Sequence, residues 1–249
     1  MKKIFWYFLP LIFLVNFSCV KDTICKTGNG DFVSDVRSVP AFSSLKLEND
    51  VDVVITPFFI DCGTPPLPNA SLQIHGQRNM LNILETSINN QVLKVKFSEC
   101  VGSHSVVSII APMYQVNEVE VSGSGNVLAQ NKIENSELSL YVSGSGDIVM
   151  DSLKIAKGIF AKISGSGDIN LKGDTTSLLE IEIAASGNIV TSNLCADKVK
   201  IKITGSGNCK VNVLTSLEVD ILGSGNVVYT GNPTIKSNIT GSGKIVKGK

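Results

Sequence analysis

The side chains able to do chemistry are few. Histidine occurs only at His75 and His104, and arginine only at Arg37 and Arg78. Six cysteines are spread as Cys19, Cys25, Cys62, Cys100, Cys195 and Cys209. They form no Cys-x-x-Cys pair and no Cys/His cluster, so neither a structural zinc nor a thioredoxin-type centre is supported. Seven Ser residues are framed by Gly in a recurring Gly-Ser-Gly unit, one with Ala185 as its first residue. None sits in a Gly-x-Ser-x-Gly elbow, and no histidine follows residue 104. Gly241-Ser242-Gly243-Lys244 lacks the P-loop spacing. A polysaccharide lyase or hydrolase would need converging carboxylates, or a carboxylate-held cation beside a basic residue. From residue 121 onward there is neither Arg nor His. Gly-Ser-Gly-Asp-Ile is similar to calcium-binding nonapeptides, but the spacing and the rarity of Asp do not fit a calcium roll. No catalytic, cofactor-binding or metal residue is therefore expected, and a carbohydrate-active enzyme stands as the alternative reading.

One cysteine has a different prospect. Lys2 and Lys3 precede an apolar run from Ile4 to Val15, which Pro10 interrupts and which is too short to span a bilayer. Residues 1–18 thus read as an export signal, and Ser18-Cys19 looks like the cleavage site of a bacterial lipoprotein. Cys19 would become the acylated first residue, with the membrane as partner through its lipid anchor. That predicts an exported protein of the outer membrane or cell surface. Cys25, Cys62, Cys100, Cys195 and Cys209 then leave an odd thiol. Cys62 and Cys100 are the best disulfide candidates, because each ends a strand-like run, although the sequence leaves the pairing open. Loss of two lysines leaves 20 basic against 22 acidic residues, which argues against a nucleic-acid partner. Trp6 leaves with the signal, and the nine remaining aromatics argue against a stacking platform for sugars or bases.

The elements that must position everything else are repeats. The last glycines of the recurring unit are Gly125, Gly146, Gly167, Gly187, Gly207, Gly225 and Gly243, spaced by 21, 21, 20, 20, 18 and 18 residues. The next residue, taken as position zero, is Asn126, Asp147, Asp168, Asn188, Asn208, Asn226 and Lys244. Five before it stand Val121, Val142, Ile163, Ile183, Ile203, Ile221 and Ile239, and one after it Val127, Ile148, Ile169, Ile189, Cys209, Val227 and Ile245. Polar residues such as Glu120, Lys162 and Glu182 alternate with them, so these are strands with one buried face. The glycines are expected to supply positive φ at a sharp corner.

A repeat of 18–21 residues made only of strand and turn buries its apolar side by stacking on its neighbours. The fold class predicted is all-β, a parallel β-helix, right-handed by the preference of parallel crossovers. Residues 19–40 read as a tether and 41–249 as the β-helix. Within it, 116–249 are regular coils and 41–115 degenerate ones with a Pro-rich insertion at 57–69. Position zero in the first half is expected near 50, 79 and 102. A separate small β-domain before residue 115 is the other possibility. In the final copy Ser237 takes an apolar position and Lys244 replaces Asn/Asp, and with Lys247 these read as guards of an open end.

The signal, the apolar strand pattern of 42–115 and the Ser-Gly-Ser-Gly-Asn/Asp-Ile/Val units together resemble the putative auto-transporter adhesin, head GIN domain family. The resemblance covers roughly residues 30–249. It implies a parallel β-helix in an exported or surface protein of a Bacteroidetes-type bacterium, and it brings no catalytic residues. A non-enzymatic binding, adhesive or envelope-structural role follows, with a glycan or protein ligand at the surface.

Overall fold

The computed structural model describes residues 25–57 and 69–248. The expected signal, Cys19 and Cys62 lie outside the described residues. Alternation of apolar and polar residues produces strands throughout, as the period-two burial of Glu118–Val121 and Ile169–Gly173 illustrates.

In chain order the elements are β1 (Phe32–Pro40), β2 (Ser44–Leu47), β3 (Asp52–Pro57), β4 (Asn69–Gln77), α1 (Arg78–Leu81), β5 (Leu84–Asn89), β6 (Val92–Phe97), β7 (Ser108–Met113), β8 (Glu118–Val121) and β9 (Val127–Ala129). The regular coils follow as β10 (Ile133–Val142), β11 (Ile148–Ile163), β12 (Ile169–Gly173), β13 (Thr176–Ile183), β14 (Ile189–Ile203), β15 (Cys209–Gly223), β16 (Asn226–Gly231), β17 (Thr234–Gly241) and β18 (Lys244–Lys247). From β8 onward each coil pairs in parallel with the next, and the long strands bend through register shifts such as that between Asn135 and Glu137. The result is a parallel β-solenoid.

Its interior is a set of aligned columns. Val127, Ile148, Ile169, Ile189, Cys209 and Val227 are all buried, as are Val121, Val142, Ile163, Ile183, Ile203 and Ile221. Burying each such side chain contributes about 1.5–3 kcal/mol, and no coil could bury its own without a neighbour above and below.

The first half departs from a simple continuation of the coil. β2 lies between β6 and β8, and β3 lies between β7 and β9, all in parallel. Residues 44–57 therefore form the coil beneath β8–β9, and residues 92–113 form the one beneath that. Position zero in this region is Asp52, not residue 50, because Val53 aligns with Val127. Residues 69–77 form no coil at all. β4 runs antiparallel to both β1 and β7, and β5 runs antiparallel to β6. A sequence match to the strand pattern cannot distinguish parallel from antiparallel pairing, since both have a side-chain period of two. Residues 32–40, expected within the tether, are β1 of this cap.

The cap is tied down by a side chain. Arg37 donates to the carbonyl oxygens of Leu84 and Leu81 at 2.7 and 2.9 Å and pairs with Asp35. Beneath it Met80, Leu81, Ile83 and Leu84 close that end of the core. The opposite end, β17 and β18, has no such cover among the described residues, and every residue of β17 is exposed.

Candidate functional site

The repeated corner has one structural logic. At position zero, the main-chain N–H of each coil donates to the side-chain Oδ1 of the preceding coil. The series runs Asn126 to Asp52, Asp147 to Asn126, Asp168 to Asp147, Asn188 to Asp168, Asn208 to Asn188, Asn226 to Asn208 and Lys244 to Asn226, at 2.7–3.2 Å. Asn and Asp are the side chains short enough to hold a carbonyl-type acceptor there. Lys244 is the last donor of the series among the described residues. The side-chain amides of Asn188, Asn208 and Asn226 add a second donor to the same oxygens.

The glycines serve close approach more than positive φ. Among the corner glycines only Gly223 and Gly241 have positive φ, at 142° and 129°. In the others a Cβ would overlap the carbonyl oxygen of the coil below, as at Gly146 against Gly125 and Gly165 against Gly144. The expectation that every copy needs a left-handed backbone is thus corrected: stacked coils bring main chain onto main chain. Ala185 shows the consequence. Gly144 accepts from Ser166 and Gly167, and Ala185 from Ser206 and Gly207, yet Gly165 accepts from neither Ser186 nor Gly187.

Two outer faces flank this corner. On the first, side chains of β8, β10, β11, β13, β14, β15 and β17 face solvent. Glu180, Glu182, Lys200, Lys202, Glu218 and Asp220 line a shallow depression there. Four carboxylates in one depression are what a glycosidase reading would ask for. They do not converge: Lys200 pairs with Glu180 at 3.0 Å, Lys162 with Glu182 at 2.8 Å and Lys236 with Glu218 at 2.6 Å. The hydrogen bond from Lys236 holds the Glu218 carboxyl below its usual range, the wrong direction for a general acid. Reciprocally, hydrogen bonds from these lysines raise Lys162 beside Glu182, and Lys46 beside Glu120. These pairs link neighbouring coils across the face. The face also carries Tyr141 and Phe160 with ring centroids 5.7 Å apart, an aromatic pair that sequence reading missed because it forms diagonally between adjacent coils.

The second face bears the Asn/Asp row and, two residues on, the column Val54, Leu128, Val149, Asn170, Val190, Lys210 and Val228, whose five apolar members are half-buried. Asp168, Asn188, Val190, Asn208, Lys210 and Val228 line a shallow depression there.

The cysteine assignments change. Cys100 is bonded to Cys25, not Cys62. The reason is local pairing: Lys26 N–H donates to the Cys100 carbonyl and Gly102 N–H to the Lys26 carbonyl, both at 2.9 Å, which sets Cys25 beside Cys100. Assigning Cys25 to a tether hid this partner. Cys209 is buried and its thiol is pushed up to about 12 by that burial, whereas Cys195 is half-buried and accepts from Asn212 Nδ2. The histidines lie in the cap region. His75 contacts Ser34 Oγ at 2.9 Å, and the His104 Nδ1–H donates to the Ser105 carbonyl. Among the described residues no three His, Cys, Asp or Glu side chains are grouped to hold a metal ion.

Residues 67–233 match the family described as putative auto-transporter adhesin, head GIN domain. The chain belongs to this family. Among solved structures it is similar to a putative adhesin from Bacteroides fragilis, with 23% identity, a TM-score of 0.80 and coverage of 89% of this chain and 99% of that one. A putative adhesin from Parabacteroides merdae has 24% identity, a TM-score of 0.70 and coverage of 90% and 99%. A putative lipid binding protein from Parabacteroides distasonis has 21% identity, a TM-score of 0.72 and the same coverage. At these identities the likeness establishes a shared fold. Among curated proteins none matches the chain.

Proposed function

We propose that this GIN-domain protein is a non-enzymatic, adhesin-like surface scaffold, exported and held to the outer membrane or cell surface by acylated Cys19. The observation that carries the binding reading is the contrast between its faces. One face is neutralised by Lys–Glu pairs within the chain. The other presents half-buried apolar side chains, Val54, Leu128, Val149, Val190 and Val228, in one column that Asn170 and Lys210 interrupt, bordered by amides and carboxylates. Apolar side chains set among polar ones and bordered by polar groups are a form that ligand-binding surfaces take. The family membership and the adhesin descriptions of similar structures support the same reading.

The test is a glycan and matrix-protein array probed with the lipid-free chain. Binding that survives substitution on the ion-paired face, and is lost in Val149→Glu/Val190→Glu, supports the assignment. Absence of any ligand on both arrays, or loss only from the ion-paired face, refutes it. Lipidation is tested separately by metabolic labelling with a palmitate analogue, which must disappear in Cys19→Ala.

A further inference from the structure

The two ends of the solenoid are unlike. β1, β4, β5 and α1 cover one, whereas β17 and β18 carry no cover among the described residues. β17 pairs on one edge with β15 and, among the described residues, has no strand on its other edge. Its Ile235, Ser237 and Ile239 align with the buried Leu217, Val219 and Ile221, so they point along the core columns. Ile235 and Ile239 are each 40% exposed there. Among the described residues the last layer of the core is thus uncovered, and its edge offers unpaired main-chain donors and acceptors, a template for another strand.

The sequence of that strand specifies what fits. Residues 234–240 read Thr-Ile-Lys-Ser-Asn-Ile-Thr, which is nearly a palindrome about Ser237. Two copies meeting antiparallel across an axis at Ser237 put Thr234 opposite Thr240, Ile235 opposite Ile239 and Lys236 opposite Asn238. Isoleucines on the core side then meet isoleucines, and no like charges are directly opposed on the outer side. Lys236 is already paired with Glu218 of its own chain. A contact in which one patch is complementary to itself is what two-fold symmetry requires.

The geometry points to an end-to-end homodimer in which β17 of one copy pairs antiparallel with β17 of a second. The cap at the other end stops further growth, so the assembly closes at two copies. Lys244 and Lys247 lie on β18, outside the β17 contact itself. Those lysines still oppose in-register parallel addition, whereas Ser237 changes role: it marks the centre of the contact and does not guard the edge.

Sedimentation of the lipid-free chain, beginning at residue 20, tests this at micromolar concentration. The expected mass is that of a dimer. Ile235→Lys/Ile239→Lys places charge against charge and is expected to raise the dissociation constant about a hundredfold or more. Ser237→Cys provides a reading that does not depend on destabilising the coil. It is expected to form an intermolecular disulfide on mild oxidation, whereas Asn238→Cys, opposite Lys236, is not. A monomer in the parent chain overturns the proposal, as does a series of higher oligomers. Equal cross-linking of the two cysteine variants overturns it too.

Discussion

Asn188 places two hydrogen bonds on one oxygen: its main-chain N–H and its Nδ2 both donate to Asp168 Oδ1, at 2.7 and 3.1 Å. The same relation joins Asn208 to Asn188 and Asn226 to Asn208. Position zero is therefore a side-chain rung inserted where the main-chain ladder turns its corner. Each rung satisfies an N–H that the corner geometry takes away from the strand pairing.

Removing one rung tests its contribution. Asn208→Ala leaves the N–H and Nδ2 of Asn226 without their acceptor. A loss of about 1–3 kcal/mol is expected from the stranded donors. Asn208→Asp keeps the acceptor and is expected to lose less. Urea denaturation of the two variants checks the order, and an alanine variant as stable as the parent would show the ladder to be ornamental.

Asp147 and Asp168 are the one adjacent carboxylate pair in the series from Asn126 to Lys244. Stacked coils lie about 4.8 Å apart, where like charges repel by about 1 kcal/mol in water. Asn at both positions removes that repulsion and keeps every acceptor. Asp147→Asn/Asp168→Asn is expected to leave stability unchanged or slightly raised, with no response to calcium. Melting curves with and without millimolar calcium decide it. A calcium-dependent rise in the parent that vanishes in the double variant would contradict the expectation.

The regular coils were legible because identical positions recur in phase: Ile163 and Ile183 announce one column, and Asp168 and Asn188 one corner. The candidate ligand face was half legible. Alternation marks Val149 and Val190 as outward-facing, but only the three-dimensional stack shows them in one row. The cap was not legible, because β4 alternates like any coil strand and nothing local encodes its antiparallel partners β1 and β7. The coil formed by β2 and β3 was displaced for a related reason. Its contacts are distant in sequence, as between Leu47 and both Val95 and Val121, and a pattern read along the chain carries no such order.

The glycine argument can be run in both directions. Gly146→Ala puts a Cβ into the Gly125 carbonyl, and a loss of about 3 kcal/mol or more is expected from forced separation of the coils. Ala185→Gly does the reverse. It allows Ser186 and Gly187 to donate to Gly165, as the equivalent residues do in neighbouring coils. Two hydrogen bonds at about 1 kcal/mol each, less about 0.5–1 kcal/mol for the freer glycine backbone, give an expected gain of about 1 kcal/mol. Thermal or urea unfolding measures both, and a destabilised Ala185→Gly would mean that the open corner is not caused by its Cβ.

The disulfide holds the start of the described chain to the segment after β6, closing a loop with a sequence separation of 75. Cys25→Ser/Cys100→Ser is expected to cost about 2–4 kcal/mol, on a chain-entropy account. Because the bond ties residues 25–28 to 100–103 and not to the regular coils, proteolysis should begin near residue 30 while 116–248 stay protected. Uniform loss of protection along the whole solenoid would place the bond in the folding core instead.

Cys209 replaces Val or Ile in a buried column, and its environment has a pH signature. Burial alone pushes its thiol from 9.0 to about 12, because a thiolate there would be charged in an apolar column. The folded chain thus holds this proton more tightly than the unfolded one. Its contribution to stability is complete below about pH 9 and is lost as pH rises through about 12. A polar thiol reagent at neutral pH is expected to label Cys195 well before Cys209, with peptide mapping to tell them apart. Cys209→Val continues the column without a titrating group, so it should stay within about 1 kcal/mol of the parent at neutral pH. It should also remove part of the alkaline loss. Cys209→Ser keeps the size but buries a hydroxyl among apolar neighbours, at an expected cost of about 1–3 kcal/mol. If Cys209 labels as fast as Cys195 in the native protein, the column does not run through it, and the phase of the final coils is wrong.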